Sequence, residues 1–387
     1  MDEIRDPVQA VTAPDPYPYY AALRERHGLY HEPRLDAWVA TAAAVVDAAL
    51  QHPGLRVRPP GQPVPPALQG TPAGAVYARL VRMSEGPAHA GTRRAVTQTL
   101  DPMASGQVAG RARDHAAQAL AMTAPGDRER LRALYRVPLL TMAEGIGVPI
   151  GQRERVALLT ERFVACLSPL SGAPALSEAQ DAVHALHGLF DEGLSSWAPA
   201  PPSGGPERET WIANLIGLLS QTCDATAGLI GNTLVALGRE PALVSRLRQG
   251  IVQVAEVVDE VARHDPPIQN TRRYAAEPLT LAGHALEAGQ CVLLLLASAN
   301  RDPAPCGTVA IDPAPDVFAP GRPPCRSFGY GAGHHRCPGD RLASAIAGGV
   351  VQALLAAQAS LLDGLAQRLL ASGAYRASVN ARIPCFP

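Results

Sequence analysis

The sequence predicts a mainly α-helical protein with a minor β region, and three observations carry that reading. Apolar residues recur at helical spacing through 107–195. One run, 209–237, is long and apolar enough to form a single continuous helix. Strand-like alternation is confined to PLTLAGHALEAGQCVLLLLASANRDP, residues 278–303. No linker-like stretch divides the chain and nothing repeats, so residues 1–387 are expected to form one domain.

The elements follow in order. PDPYPYYAALRERHG is a proline-led turn and a short helix, and AWVATAAAVVDAAL a strand feeding a second helix. RVRPPGQPVPPALQGTP, Arg56 to Pro72, cannot be regular structure, because proline lacks the N–H and fixes φ. Such a loop either touches substrate or serves as surface linker. In MSEGPAHAGTRRAVTQTL, His89 and Arg93 are four apart and share a helix face. They could grip a carboxylate together or lie on a solvated face. Helices continue to Trp197, and a flexible loop, APAPPSGGPE, precedes the long helix. At 1.5 Å per residue the run 209–237 spans about 40 Å. Asp224 lies mid-helix among apolar neighbours, so it needs a structural partner or faces a cavity. IVQVAEVVDEVAR places Glu260 and Arg263 at pairing distance. A proline-rich meander then leads to SFGYGAGHHRCPGDRLA, Ser327 to Ala343.

Composition narrows the function. The net charge of −1 gives no electrostatic case for nucleic acid or an anionic membrane. MDEIRDPVQAV shows neither a signal pattern nor a spanning segment, so a cytoplasmic protein without membrane attachment is expected. The seven cysteines are scattered, with no CxxC pair, which argues against a disulfide framework and a zinc-cysteine site. Cys337 stands apart. It follows a glycine-rich turn that lets backbone approach something flat, and it opens a helix, where unpaired N–H groups favour the thiolate.

Taken together, His89-xxx-Arg93, the long helix with an internal acid, Glu260-xx-Arg263 followed by Arg273, ANRDP at Ala299–Pro303, and GAGHHRCPGDRLA resemble the cytochrome P450 family, of the soluble bacterial kind. The resemblance covers nearly the whole chain. It implies a long central helix over haem b (iron protoporphyrin IX), with Cys337 as the thiolate on iron. Gly331, Gly333 and Gly339 would belong to the loop against the porphyrin. His335, Arg273, Arg93 and His89 would bind the propionates through charge-assisted bonds. Glu260 and Arg263 become buried structural partners, with Arg322 as third member.

The chain departs from the family pattern in three places. Tyr330 stands where the loop usually opens with phenylalanine, and Phe328 lies two residues earlier. The segment before the long helix is short and lacks the usual intervening helix. At the oxygen-handling position the run is Gln221-Thr222-Cys223-Asp224-Ala225-Thr226, with Ala225 in the usual threonine place and Thr226 about 100° around the helix. Asp224, with Gln221 and water, is expected to handle protons.

The implied activity is haem-thiolate oxidation of a mid-sized hydrophobic natural product, using dioxygen and electrons from a ferredoxin and ferredoxin reductase. Hydroxylation or epoxidation competes with oxidative coupling of an aromatic substrate, an indole or phenol such as a cyclic dipeptide. A non-catalytic haem sensor is the reading from another class. The pocket is expected to draw on 56–80, 165–210, Leu218–Ala225 and Ile268–Asn270. Arg94, Arg336 and Arg341 are expected to meet an acidic redox partner, and the chain to be a monomer.

Overall fold

The computed structural model describes residues 4–104, 106–124, 126–193, 205–303, 313–357 and 359–387. The expected loop before the long helix, the helix end at Trp197 and part of the proline-rich meander with Cys306 fall largely outside the described residues.

The protein is mainly helical with small sheets, as the sequence predicts. Its axis is the central helix, Gly205–Arg239, 35 residues long and therefore about 52 Å. Apolar side chains all round it are buried, from Ile212 to Leu237, so it needs partners on every side. It receives them from helices Asp127–Gly145, Ile150–Ala165, Asp340–Ala356 and Ala359–Ser372. No described helix is long and apolar enough to cross a membrane.

In chain order the strands are β1 Leu29–Glu32, β2 Ala37–Ala40, β3 Leu55–Arg56, β4 Thr271–Ala275, β5 Leu279–Leu281, β6 His284–Leu286, β7 Cys291–Leu294, β8 Ala374–Tyr375 and β9 Pro384–Cys385. Five of them form one sheet in the order β1-β2-β7-β4-β3, in which only β2 and β7 run parallel. β5–β6 and β8–β9 are separate hairpin-like pairs. In β4, Thr271 and Arg273 lie two residues apart and so share one sheet face. That face looks onto the interior cavity. Between Arg56, which ends β3, and Pro72, which opens the helix Pro72–Arg79, the stretch is irregular except for a 3-10 turn, Pro66–Leu68.

Two buried polar networks tie the helical and sheet regions together. Arg263 grips Glu260 with two bonds of 2.8 and 2.7 Å. Arg322 reaches Glu260 at 3.0 Å, and Arg263 also donates to the carbonyls of Asn300 and Pro315. Arginine and glutamate are both nearly inaccessible, so this is not a surface pair but the core of the meander's attachment. The second network had no sequence signal. Arg382, fully buried, lies 3.1 Å from Asp265 and donates to the carbonyls of Val11, Ala13 and Pro14. Tyr17 donates to the same Asp265 carboxylate at 2.5 Å.

Candidate active site

The chain builds the site around Cys337 from the loop's own backbone. The Gly331 N–H donates to Phe328 O at 2.8 Å and the Cys337 N–H to Tyr330 O at 2.9 Å, closing a tight double turn. Two glycines let that turn dock. A Cβ on Gly329 would lie 2.0 Å from the Ala262 carbonyl, and one on Gly333 would lie 2.9 Å from the Leu50 carbonyl. Gly333 therefore presses on the chain itself, not on the cavity; Gly329, Gly331 and Gly339 are the glycines that line it. Phe328 does not share Tyr330's place. It is buried in the core beside the sheet, whereas Tyr330 lines the cavity and bonds Ser344 at 3.0 Å.

The cavity, about 270 Å³, lies between the Cys337 loop, the central helix, the His89 helix Gly86–Leu100 and β4. Cys337, His89, Arg93, Arg273, Tyr330, Gly331, His335 and Gly339 all border it, as do Gln221, Ala225 and Thr226. So residues far apart in sequence do converge. The thiol differs from the expectation in one respect. Burial pushes the Cys337 pKa up, and the Gly339 N–H, Arg93 and Arg336 only partly oppose this. The helix start does not make a thiolate by itself; a coordinated metal cation would.

One edge of the cavity shows what it is built to hold. Arg273 is buried, and its bonds go only to neutral oxygens, Thr271 Oγ1 at 3.4 Å and Arg272 O at 2.9 Å. Among the described residues no carboxylate lies within ion-pair distance of it. The Nε2 atoms of His89 and His335 are buried without a hydrogen-bond partner. A buried guanidinium and the orphaned His89 nitrogen on one rim, with His335 Nε2 only loosely met by Glu85 at 3.4 Å, are costly unless something accepts from them. Acceptor carboxylates fit that donor set, and a thiol sits on the same cavity. The residues present therefore fit a haem, with Arg273, His89, His335 and Arg93 for its propionates and Cys337 for its iron.

Asp224, expected to handle protons, sits apart from the other candidates on the central helix. It does not line this cavity. Arg376 pairs with it at 2.7 Å, and both border a second cavity behind the central helix, with Cys223, Glu161, Arg128 and Arg132. The reason is helical phase: successive residues point 100° apart, so Ala225 and Asp224 face different sides. Gln221 stays on the cavity side but donates to the Gly217 carbonyl of its own helix at 3.0 Å. Thr226 borders the cavity beside Ala225, about 100° further around the helix. Thr222, which the sequence reading did not single out, borders it too, with its hydroxyl turned back to Leu218 O at 2.8 Å. The lining takes nothing from 56–80 or from described residues between 165 and 210, and of Ile268–Asn270 only Ile268 takes part. Val81, Met142 and Leu296 take their place.

Comparison with known proteins agrees with this geometry. The cytochrome P450 family model matches residues 212–356, which include most of the central helix, the Glu260 pair and the Cys337 loop. Over those residues the chain matches the cytochrome P450 family, and the relatives and solved structures that follow support that family for the chain as a whole. It is 36% identical over 197 residues to Protein AknT of Streptomyces galilaeus, a match covering 46% of this chain and 44% of that protein. It is 25% identical over 365 residues to cytochrome P450 109 of Bacillus spizizenii, covering 89% and 85% of the two chains. The match to AknT thus spans under half of that relative's length. Among solved structures, P450BioI in complex with an acyl carrier protein ligated to hexadec-9Z-enoic acid superposes with a TM-score of 0.74. That likeness, at 23% identity over 88% of this chain and 91% of the other, is one of fold.

Proposed function

We propose that the protein is a haem-thiolate oxidoreductase, a monooxygenase-class enzyme acting on a mid-sized, largely apolar small molecule. The observation that carries this is the rim of the cavity, where buried Arg273, the unpartnered His89 nitrogen and the ring of His335 border the same space as Cys337. Haem b held there supplies dioxygen activation, with electrons delivered by a ferredoxin-type partner. The chain's own contributions are separable. Arg273, His89, His335 and Arg93 anchor the propionates. Cys337 supplies the anionic sulfur. Leu218, Leu229, Ile268 and Leu296 exclude water and hold an apolar substrate by burial of its surface. The exposed face with Arg94, Arg336 and Arg341 suits an acidic electron donor.

A second reaction class has a specific observation behind it. The cavity face of the central helix offers Ala225, not a hydroxyl, and the acid beside it is turned to the rear and paired. Proton delivery then falls to Thr226, Gln221, water or a substrate hydroxyl. Where none of these suffices, oxidative coupling of an aromatic substrate becomes the favoured outcome over hydroxylation or epoxidation.

The reduced protein under carbon monoxide tests the haem reading. A far-red-shifted Soret band, lost in Cys337→Ser, supports it; a band typical of histidine ligation overturns it. Turnover under labelled dioxygen then separates the classes. Label in the product means insertion, and label only in water means coupling. A normal thiolate band without turnover from any electron donor would favour a haem sensor.

A further inference from the structure

The sequence GHHRC carries one more histidine than propionate binding uses. His334 and Glu85 both lie outside the cavity lining, yet they meet His335 at its edge. The Nε2 atoms of His334 and His335 each lie 3.4 Å from the same oxygen, Glu85 Oε2. All three ligand atoms fall within 4.8 Å of one another.

Those distances have a physical meaning. A charge-assisted hydrogen bond would close to about 2.7–2.9 Å, and neither contact does. Two ligand atoms on a tetrahedral zinc ion, each at about 2.0–2.1 Å, are instead about 3.3 Å apart. The side chain of His335 is 8% exposed, and its Nε2 faces Glu85 Oε2 at 3.4 Å without forming a well-aligned hydrogen bond, so a buried nitrogen is aimed at the cluster and only loosely satisfied there. The carboxylate is also oriented for a cation. Its other oxygen, Oε1, accepts the Val57 N–H at 2.9 Å, which fixes the group and leaves Oε2 toward the histidines. Arg56 Nη1 lies 3.7 Å from Oε2 and would share the carboxylate with an incoming ion.

We propose that Glu85, His334 and His335 form a binding site for a divalent cation of the zinc class at the edge of the haem cavity. The donor set, two imidazoles and one carboxylate, suits zinc and leaves a fourth place for water. An imidazole has two ring nitrogens, so His335 can ligate a cation through Nε2 and still offer its other N–H to a carboxylate. On the haem reading, which this last point rests on, that carboxylate is a propionate, and the cation stiffens the propionate donor. The site and the haem therefore coexist.

The test uses the full-length, haem-loaded protein, with zinc added and unbound metal dialysed away. The metal retained is measured by elemental analysis, and haem is read independently from the carbon monoxide Soret band. One zinc per chain is expected in the wild type. His334→Ala and Glu85→Gln should each bind at least about 100-fold more weakly, while His187→Ala, at the surface pair with Glu209, should change nothing. His334→Ala alters an exposed ring, so an unchanged Soret band in that variant shows that lost zinc is not lost fold. No zinc in the haem-loaded wild type overturns the proposal, as does zinc retained equally by both variants or retained only by the haem-free chain. A wild type that lacks the thiolate band fails the haem reading instead, and does so whatever the zinc content.

Discussion

The central helix separates two cavities of opposite character. In front, about 270 Å³ is walled mainly by aliphatic side chains and bordered by Cys337. Behind, about 460 Å³ is bordered by the charged Arg128, Arg132, Arg376, Glu161 and Asp224 as well as by apolar residues such as Leu131, Val164 and Phe386. Ala225 belongs to the first and Asp224 to the second, though they are neighbours in sequence. One residue's step around a helix is enough to move an acid from a dry chamber into an ion pair in a polar one. Proximity in sequence to the reaction centre therefore says little about access to it.

That contrast can be broken or sharpened by substitution. The largest effect is expected at Cys337 itself: Cys337→Ser should abolish both the thiolate Soret band and turnover, since no other described cysteine borders the front cavity. Next is Arg273→Leu. Losing charge-assisted bonds worth about 1.5–3 kcal/mol should weaken haem retention about ten- to hundred-fold, measured by transfer to a haem-scavenging apoprotein. Ala225→Thr puts a hydroxyl on the front face, and should raise the fraction of product carrying label from dioxygen. Asp224→Asn should do far less. The pair with Arg376 is about one-third to one-half exposed, the kind usually worth about 0–1 kcal/mol, and turnover should stay within about two-fold. A folded Asp224→Asn protein without turnover would show that the rear cavity serves the front one.

The last effect is on stability, not turnover, and falls on the scaffold that both cavities share. Burial, then Arg301, holds His264 down at about 4, below the ordinary value near 6.5. The unfolded chain thus takes up this proton at higher pH than the folded one does. Stability from this group is present in full above pH about 6.5 and is lost as pH falls toward 4. Urea midpoints followed over that window should slope, and His264→Gln should flatten the slope.

Much of this was legible because some chemistry needs fixed spacing. Cys337 and its glycines, His89 with Arg93, and Glu260 with Arg263 each lie within one turn or loop, so their geometry is local. The central helix was legible from its apolar length, and the structure lengthens it to Gly205–Arg239. What escaped was long-range or directional. Arg382 meets Asp265, Tyr17 and the chain near Val11 only through the fold. That Asp224 is paired depends on Arg376, 152 residues away. The apolar lining came from Val81, Met142 and Leu296, which no spacing connects.

The two contacts that seat the Cys337 loop carry one last consequence. Gly329 rests on the carbonyl of Ala262, and Gly333 on that of Leu50, so the loop is riveted to a helix on one side and to the sheet-bound half on the other. Its shape is set by the chain alone. A cofactor arriving there orders little that was not already ordered, so less of its binding energy is lost to conformational entropy. The thiol's seat should thus be indifferent to which metal the tetrapyrrole carries, and a porphyrin of another metal should load into the same loop.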